Sequence, residues 1–201
     1  DTNRSKIQSL LAENNLLDTQ DAAFDNFSNE ADKSNPLYES DRRQLNTDQN
    51  IRCCSDILGV LSATDSRLSY YYEGGATGVA YGTTPTPAEA NRLQLKAEAY
   101  ARLNDAANAR SNYEEAIRAA FARCGCTGAD ELVAGDYAFT GGTTGQMVEQ
   151  IINHKWASNV RCMPIESWFD MNRTGYPTRG TTITASEGVL GGFPCRFLYP
   201  Y

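Results

Sequence analysis

Three consecutive tyrosines, Tyr70, Tyr71 and Tyr72, stand with Tyr81 in a stretch, 63–85, that loses helical periodicity and gains Gly74, Gly75, Gly78 and Gly82. Loops of this kind can present aromatic faces to solvent. A phenol ring suits the apolar face of a sugar, and its hydroxyl meets the polar edge. The competing role is structural, with alternate rings pinning the loop to the domain. Catalytic readings find less support. His154, Cys162 and Asp170 supply the groups of a nucleophilic triad, yet no elbow or oxyanion-loop sequence frames Cys162. Asp and Glu abound, so spacing marks no pair as the acid and base of a glycosidase. Gly141-Gly-Thr-Thr-Gly145 lacks the lysine of a phosphate loop and follows no clear strand. These residues single out no catalytic site and imply no cofactor.

Trp156, Trp168 and Arg173 form a second set with the chemistry of a sugar platform, but their setting favours architecture. Trp156 shares a helical face with Ile152, and Trp168 follows Ile165 by a helical step, so both rings are expected in the core. Arg173 is expected to tie Glu166 or Asp170 to a turn whose backbone Gly175 and Pro177 set. The six cysteines, Cys53, Cys54, Cys124, Cys126, Cys162 and Cys195, fit an oxidising compartment. Adjacent and one-spaced pairs do not match zinc-ligand spacing, and His154 is the only histidine, so no metal site is expected. Buried free thiols and disulfides both remain open. Cys124 and Cys126 follow a helix end, which makes at least one a reasonable disulfide partner for a cysteine distant in sequence.

The chain has 201 residues, enough for a real core, and a formal net charge of −7 with scattered Lys and Arg. That balance repels phosphate backbones and argues against nucleic-acid partners. No apolar run approaches the roughly 18 residues needed to span a membrane.

The positioning elements read as mainly helical. Ile7, Leu10, Leu11, Leu16 and Leu17 mark a short helix over 4–17, and 18–46 is mostly loop. Thr47 is a plausible cap for a helix over 48–62, with Ile51, Cys54, Leu58 and Leu61 on one stripe and Ile57 beside it. Thr86-Pro87-Ala88-Glu89 is a capping box, and Asp105 caps a second helix that Gly125 ends. The resulting hairpin over 87–123 places Ala97, Tyr100, Ala109, Tyr113 and Ala116 at the packing offsets of a tetratricopeptide repeat. A single repeat needs neighbouring helices to complete its layer. Residues 127–145 read as a Gly/Thr-rich loop. Thr143 and Gln146 then launch a helix with Val148, Ile151, Ile152, Trp156 and Val160 on one face.

The order and spacing of Lys155-Trp156, Glu166-Ser-Trp168 and Arg173-Thr-Gly175-Tyr-Pro177 resembles the C-terminal core of the SusD/RagB family of outer-membrane glycan-binding lipoproteins. Asn35-Pro-Leu-Tyr38, Asp65-Ser-Arg-Leu68, Ala97-Glu98-Ala99 and Pro194 to Pro200 extend it over nearly all of the chain. Ser66, Asn172, Cys162 and Cys195 depart from the family's pattern. The resemblance implies a single SusD-like C-terminal region over 1–201, part of a longer protein, with its signature segment at 145–200. It implies a surface-exposed, non-enzymatic glycan- or nutrient-binding protein of the cell outer membrane, paired with a TonB-dependent transporter and held by a lipid anchor outside this chain. The other function class open to such a scaffold is a structural or assembly subunit that uses it for protein contacts.

Overall fold

The computed structural model describes residues 2–14, 27, 28, 30, 33, 34, 36, 39, 55–72, 89–160 and 162–178. Among these the secondary structure is helical, without a strand: α1 (Thr2–Glu13), α2 (Ser55–Leu58), α3 (Arg67–Tyr71), α4 (Glu89–Arg102), α5 (Ala106–Cys124), α6 (Ala129–Ala134), α7 (Thr144–Asn159) and α8 (Pro164–Thr174). The mainly α expectation holds.

Local sequence grammar explains most of the boundaries. The α4–α5 hairpin turns through Asn104, which takes a positive φ of 64°. The Asp105 side chain then accepts the Asn108 backbone N–H at 3.1 Å, satisfying one of the donors a helix start leaves open. Gly125 closes α5 in the left-handed region, where a Cβ would be strained. Thr143 and Gln146 form the expected reciprocal capping box at the start of α7. Pro164 opens α8, and Gly175, with φ +82°, ends it.

The hairpin is the organising unit. Ala97, Ala101 and Ala109 are fully buried between α4 and α5, and their small side chains let the two backbones approach closely. Tyr113 fills the space beneath them and donates its hydroxyl to the Tyr137 carbonyl at 3.0 Å. α7 packs on α4 and α5 and completes the layer, burying Met147, Val148, Ile151 and Ile152. A second cluster joins Ile57, Leu61, Tyr71, Cys124 and Ala157 at the other end of α5 and α7.

Four expectations change. The stripe on 48–62 turns inward through Ile57 and Leu61, while Leu58 is 53% exposed; of the helix itself, Ser55–Leu58 lies within the described residues and Cys54 outside them. The aperiodic stretch after 63 contains α3, a short helix held by the buried side chains of Arg67 and Tyr71. The Gly/Thr-rich loop contains α6, because Leu132 and Val133, with Tyr137 and Phe139 beyond, face the main core. Trp156 and Trp168 are half-buried rather than core residues, and Trp156 lies against the second cluster, not beside Ile152 in the first. Trp156→Ala is therefore expected to cost about 1–2 kcal/mol, below the full burial value for a large side chain, as read from urea unfolding midpoints.

Candidate functional site

Among the described residues, two helical ladders line a surface groove. Leu95, Glu98, Ala99 and Arg102 on α4, and Glu166, Phe169, Asp170 and Arg173 on α8, each follow the i, i+3, i+4, i+7 spacing that puts side chains on one helix face. The two faces oppose one another across an open groove of about 320 Å³, with Lys155 of α7 beneath and Ile7 of α1 at one side. Leu93, Ala97 and Ala101 leave the opposite side of α4 for the core.

The floor of the groove is an ion-pair network. Arg173 donates Nη2 to Asp170 Oδ1 at 2.7 Å and to Glu98 Oε2 at 2.8 Å, and its Nη1 reaches Glu98 Oε1. Arg102 Nε donates to the same Glu98 Oε1 at 2.8 Å. Lys155, almost wholly buried, pairs Nζ with Asp170 Oδ2 at 2.8 Å, at an angle that falls short of a hydrogen bond. A lysine enters a protein interior when it is paired, and Asp170 supplies that pairing. Burial alone would raise the Glu98 carboxyl, but the hydrogen bonds and charges of Arg173 and Arg102 outweigh it and hold it below its ordinary value. The same Glu98 contact raises Arg173 further. Three cations (Arg102, Lys155, Arg173) face three carboxylates (Glu98, Glu166, Asp170), so the lining is electrically balanced.

Arg173 thus bonds Asp170 as expected, but its stronger partner is Glu98, and Glu166 stays on the groove wall. Gly175 supplies the left-handed cap, and Pro177 follows it after a cis peptide bond. Trp168 lies 5.2 Å from the Phe169 ring, centroid to centroid, in a tilted contact.

The tyrosines divide. Tyr71 is buried, with edge contacts to Tyr70 at 5.8 Å and Tyr72 at 6.2 Å, and burial pushes its phenol well above the usual range. It anchors α3 and offers no face to a ligand. Tyr70 and Tyr72 are half-buried around it, and Tyr81 lies outside the described residues. Among the described residues Cys124, Cys126 and Cys162 are free thiols, and Cys53, Cys54 and Cys195, the other cysteines open to the expected disulfide, lie outside them. Cys124 donates toward the Tyr71 hydroxyl at 3.9 Å, and burial raises its thiol. Cys126 donates toward the Cys124 carbonyl at 3.7 Å.

The three groups of the paper triad have separate surroundings. His154 is edge-on to the rings of Tyr113 and Tyr137, Cys162 donates to the Ser158 carbonyl at 3.5 Å, and Asp170 belongs to the groove network. Burial, aided by the Arg67 charge, pushes His154 down to about 3.

One polar pair carries no sequence signal beyond its place in a motif. Arg67 donates Nη2 to Asp65 Oδ2 at 2.7 Å, both side chains fully buried, and its guanidinium lies 4.4 Å from the Phe121 ring centre. The Tyr137 hydroxyl donates to the same Asp65 oxygen at 2.6 Å. Burial would raise the Asp65 carboxyl, but Arg67 and Tyr137 hold it below its ordinary value. This clamp joins the 65–71 segment to α5 and to the turn after α6.

The fold and groove together define a helical, tetratricopeptide-like scaffold with a charged, one-sided cleft. Residues 86–200 match the model of the SusD-like family described as starch-binding and associating with the outer membrane, and the chain belongs to that family. The matched region contains the hairpin, α6 to α8 and every groove residue except Ile7; Tyr70 to Tyr72, Tyr81 and the Asp65–Arg67 clamp precede it. No curated protein matches the chain.

Proposed function

We propose that this protein is a surface-exposed, non-catalytic glycan-binding protein of the outer membrane that hands its ligand to a TonB-dependent transporter. A lipid anchor outside the sequence would hold it there. The observation that carries the reading is the SusD-like match over 86–200, which falls on the intact α4 to α8 scaffold. The groups that chemistry would need support a binding role: His154 is sealed under two tyrosine rings, and Asp170 is held between Lys155 and Arg173. Ligand contact from the first segment is proposed at the half-buried Tyr70 and Tyr72 together with Tyr81, with Tyr71 as their anchor.

Sugar stacking on one or two rings is weak, so a dissociation constant between about 1 μM and 1 mM is expected. Isothermal calorimetry of the native chain, Tyr72→Ala and Tyr81→Ala against a panel of neutral and acidic oligosaccharides measures it. Undiminished binding by both variants would remove the tyrosine assignment. Conversion of any panel member into products would overturn the non-catalytic reading.

A further inference from the structure

We infer that the groove between α4 and α8 is a seat for a short, neutral oligosaccharide, with Phe169 as its stacking face and Glu166 and Arg102 as its hydroxyl partners. The inference rests on the glycan-binding reading above and adds to it a site on this chain. Three observations lead there.

The first is shape. The groove's 320 Å³ lies at the small end of the roughly 300–1,000 Å³ typical of small-molecule clefts, which suits the end of a chain rather than a long polymer. The second is charge. The lining's cations and carboxylates balance, and the buried Glu98 and Asp170 are already paired with Arg102, Arg173 and Lys155. A charged ligand would gain no net attraction from such a lining. A neutral polyol needs none.

The third is the division of labour within the lining. Glu98, Asp170 and Lys155 are committed to the floor, with side chains almost wholly buried. Arg102 spends Nε and Nη2 on Glu98, which leaves Nη1 as a donor on a side chain 40% exposed. Glu166 forms no ion pair among the described residues, so its carboxylate can accept from a hydroxyl. Adjacent sugar hydroxyls both donate and accept, and a carboxylate on one wall with a guanidinium on the other offers both. Phe169 is 45% exposed, and its ring, tilted against Trp168, offers an apolar face for the C–H side of a sugar.

The test uses maltotriose as the neutral probe and trigalacturonate as the acidic one, titrated by calorimetry into native protein, Phe169→Ala, Glu166→Gln and Tyr72→Ala. Phe169 is exposed and Glu166→Gln preserves shape, so each variant should melt within a few degrees of the native chain. Maltotriose affinity should fall about fivefold to tenfold in Phe169→Ala and in Glu166→Gln, with trigalacturonate binding more weakly than maltotriose to native protein. Native-like maltotriose affinity in both groove variants overturns the groove assignment and leaves the broader reading standing. Tighter binding of trigalacturonate overturns the neutral-ligand assignment. If neither probe nor any member of the wider panel binds native protein, the glycan-binding reading falls, and the groove assignment with it.

Discussion

Asp65→Ala is expected to destabilise the protein by about 3–5 kcal/mol, the largest effect of any single substitution considered for this chain. Asp65 and Arg67 have no exposed side-chain surface, and Arg67 directs Nε and Nη2 at the carboxylate. Removing the carboxylate leaves a guanidinium stranded against Phe121, and it deprives the Tyr137 hydroxyl of its acceptor at 2.6 Å. The remaining Arg67 nitrogen, Nη1, is already buried without a hydrogen bond, so no reserve partner is at hand. Breaking one half of a buried pair costs more than replacing both halves with apolar groups of similar size. The double variant Asp65→Leu/Arg67→Met should therefore recover much of the loss. Urea unfolding of native, single and double variants measures both parts. A loss below about 1 kcal/mol for Asp65→Ala would mean that the clamp adds little to stability.

The clamp, like the groove, shows which features a sequence displays. The capping box at Thr143 and Gln146, the Asp105 cap and the Gly125 stop are local: each is satisfied within a few residues, so residue type and spacing suffice to find them. The alanines at 97 and 109 are legible for a similar reason, since small residues at repeat offsets make sense only if two backbones approach. The groove is a different case. Its residues on α4 and on α8 each make a regular ladder, but each ladder alone resembles an ordinary solvated face. Their meaning appears when the fold sets α4 against α8, which brings Glu98 to Arg173 across 75 positions of sequence. A search for two helix faces that each run from acidic to basic residues, on helices joined through a third, would have flagged them. α6 escaped because six residues among glycines give too little periodicity, and its identity comes from burial of Leu132 and Val133. Tyr71 escaped because three tyrosines in a row look alike, while the helix geometry of α3 buries the central one and leaves its neighbours half out.

Mild acid should destabilise this protein through one residue, His154. In the unfolded chain its imidazole titrates near 6.5, and in the fold it is pushed down to about 3. Between those values the unfolded chain binds a proton that the folded chain excludes, so stability is fully present above 6.5 and falls as the pH drops. At 1.36 kcal/mol per unit of difference, the loss between pH 6.5 and about pH 4 is roughly 3 kcal/mol. The cause is local. Tyr113 of α5 and Tyr137 after α6 cover the ring at 5.4 and 4.4 Å, Nδ1 is buried without a partner, and the Arg67 cation opposes an imidazolium. Asp65 pulls the other way, but its carboxylate is committed to Arg67 and Tyr137. The depressed carboxyls of Asp65 and Glu98 also lose stability in acid, but below their ordinary values of 3.8 and 4.5. The window between pH 6.5 and 4.5 therefore belongs to the histidine. His154→Leu, which removes the titrating group and keeps an apolar side chain under the tyrosines, should flatten the pH dependence across that window. Urea midpoints at half-unit pH steps compare the two proteins. Equal slopes for both, or an imidazole resonance of the folded protein titrating near 6, would show that His154 is not the source.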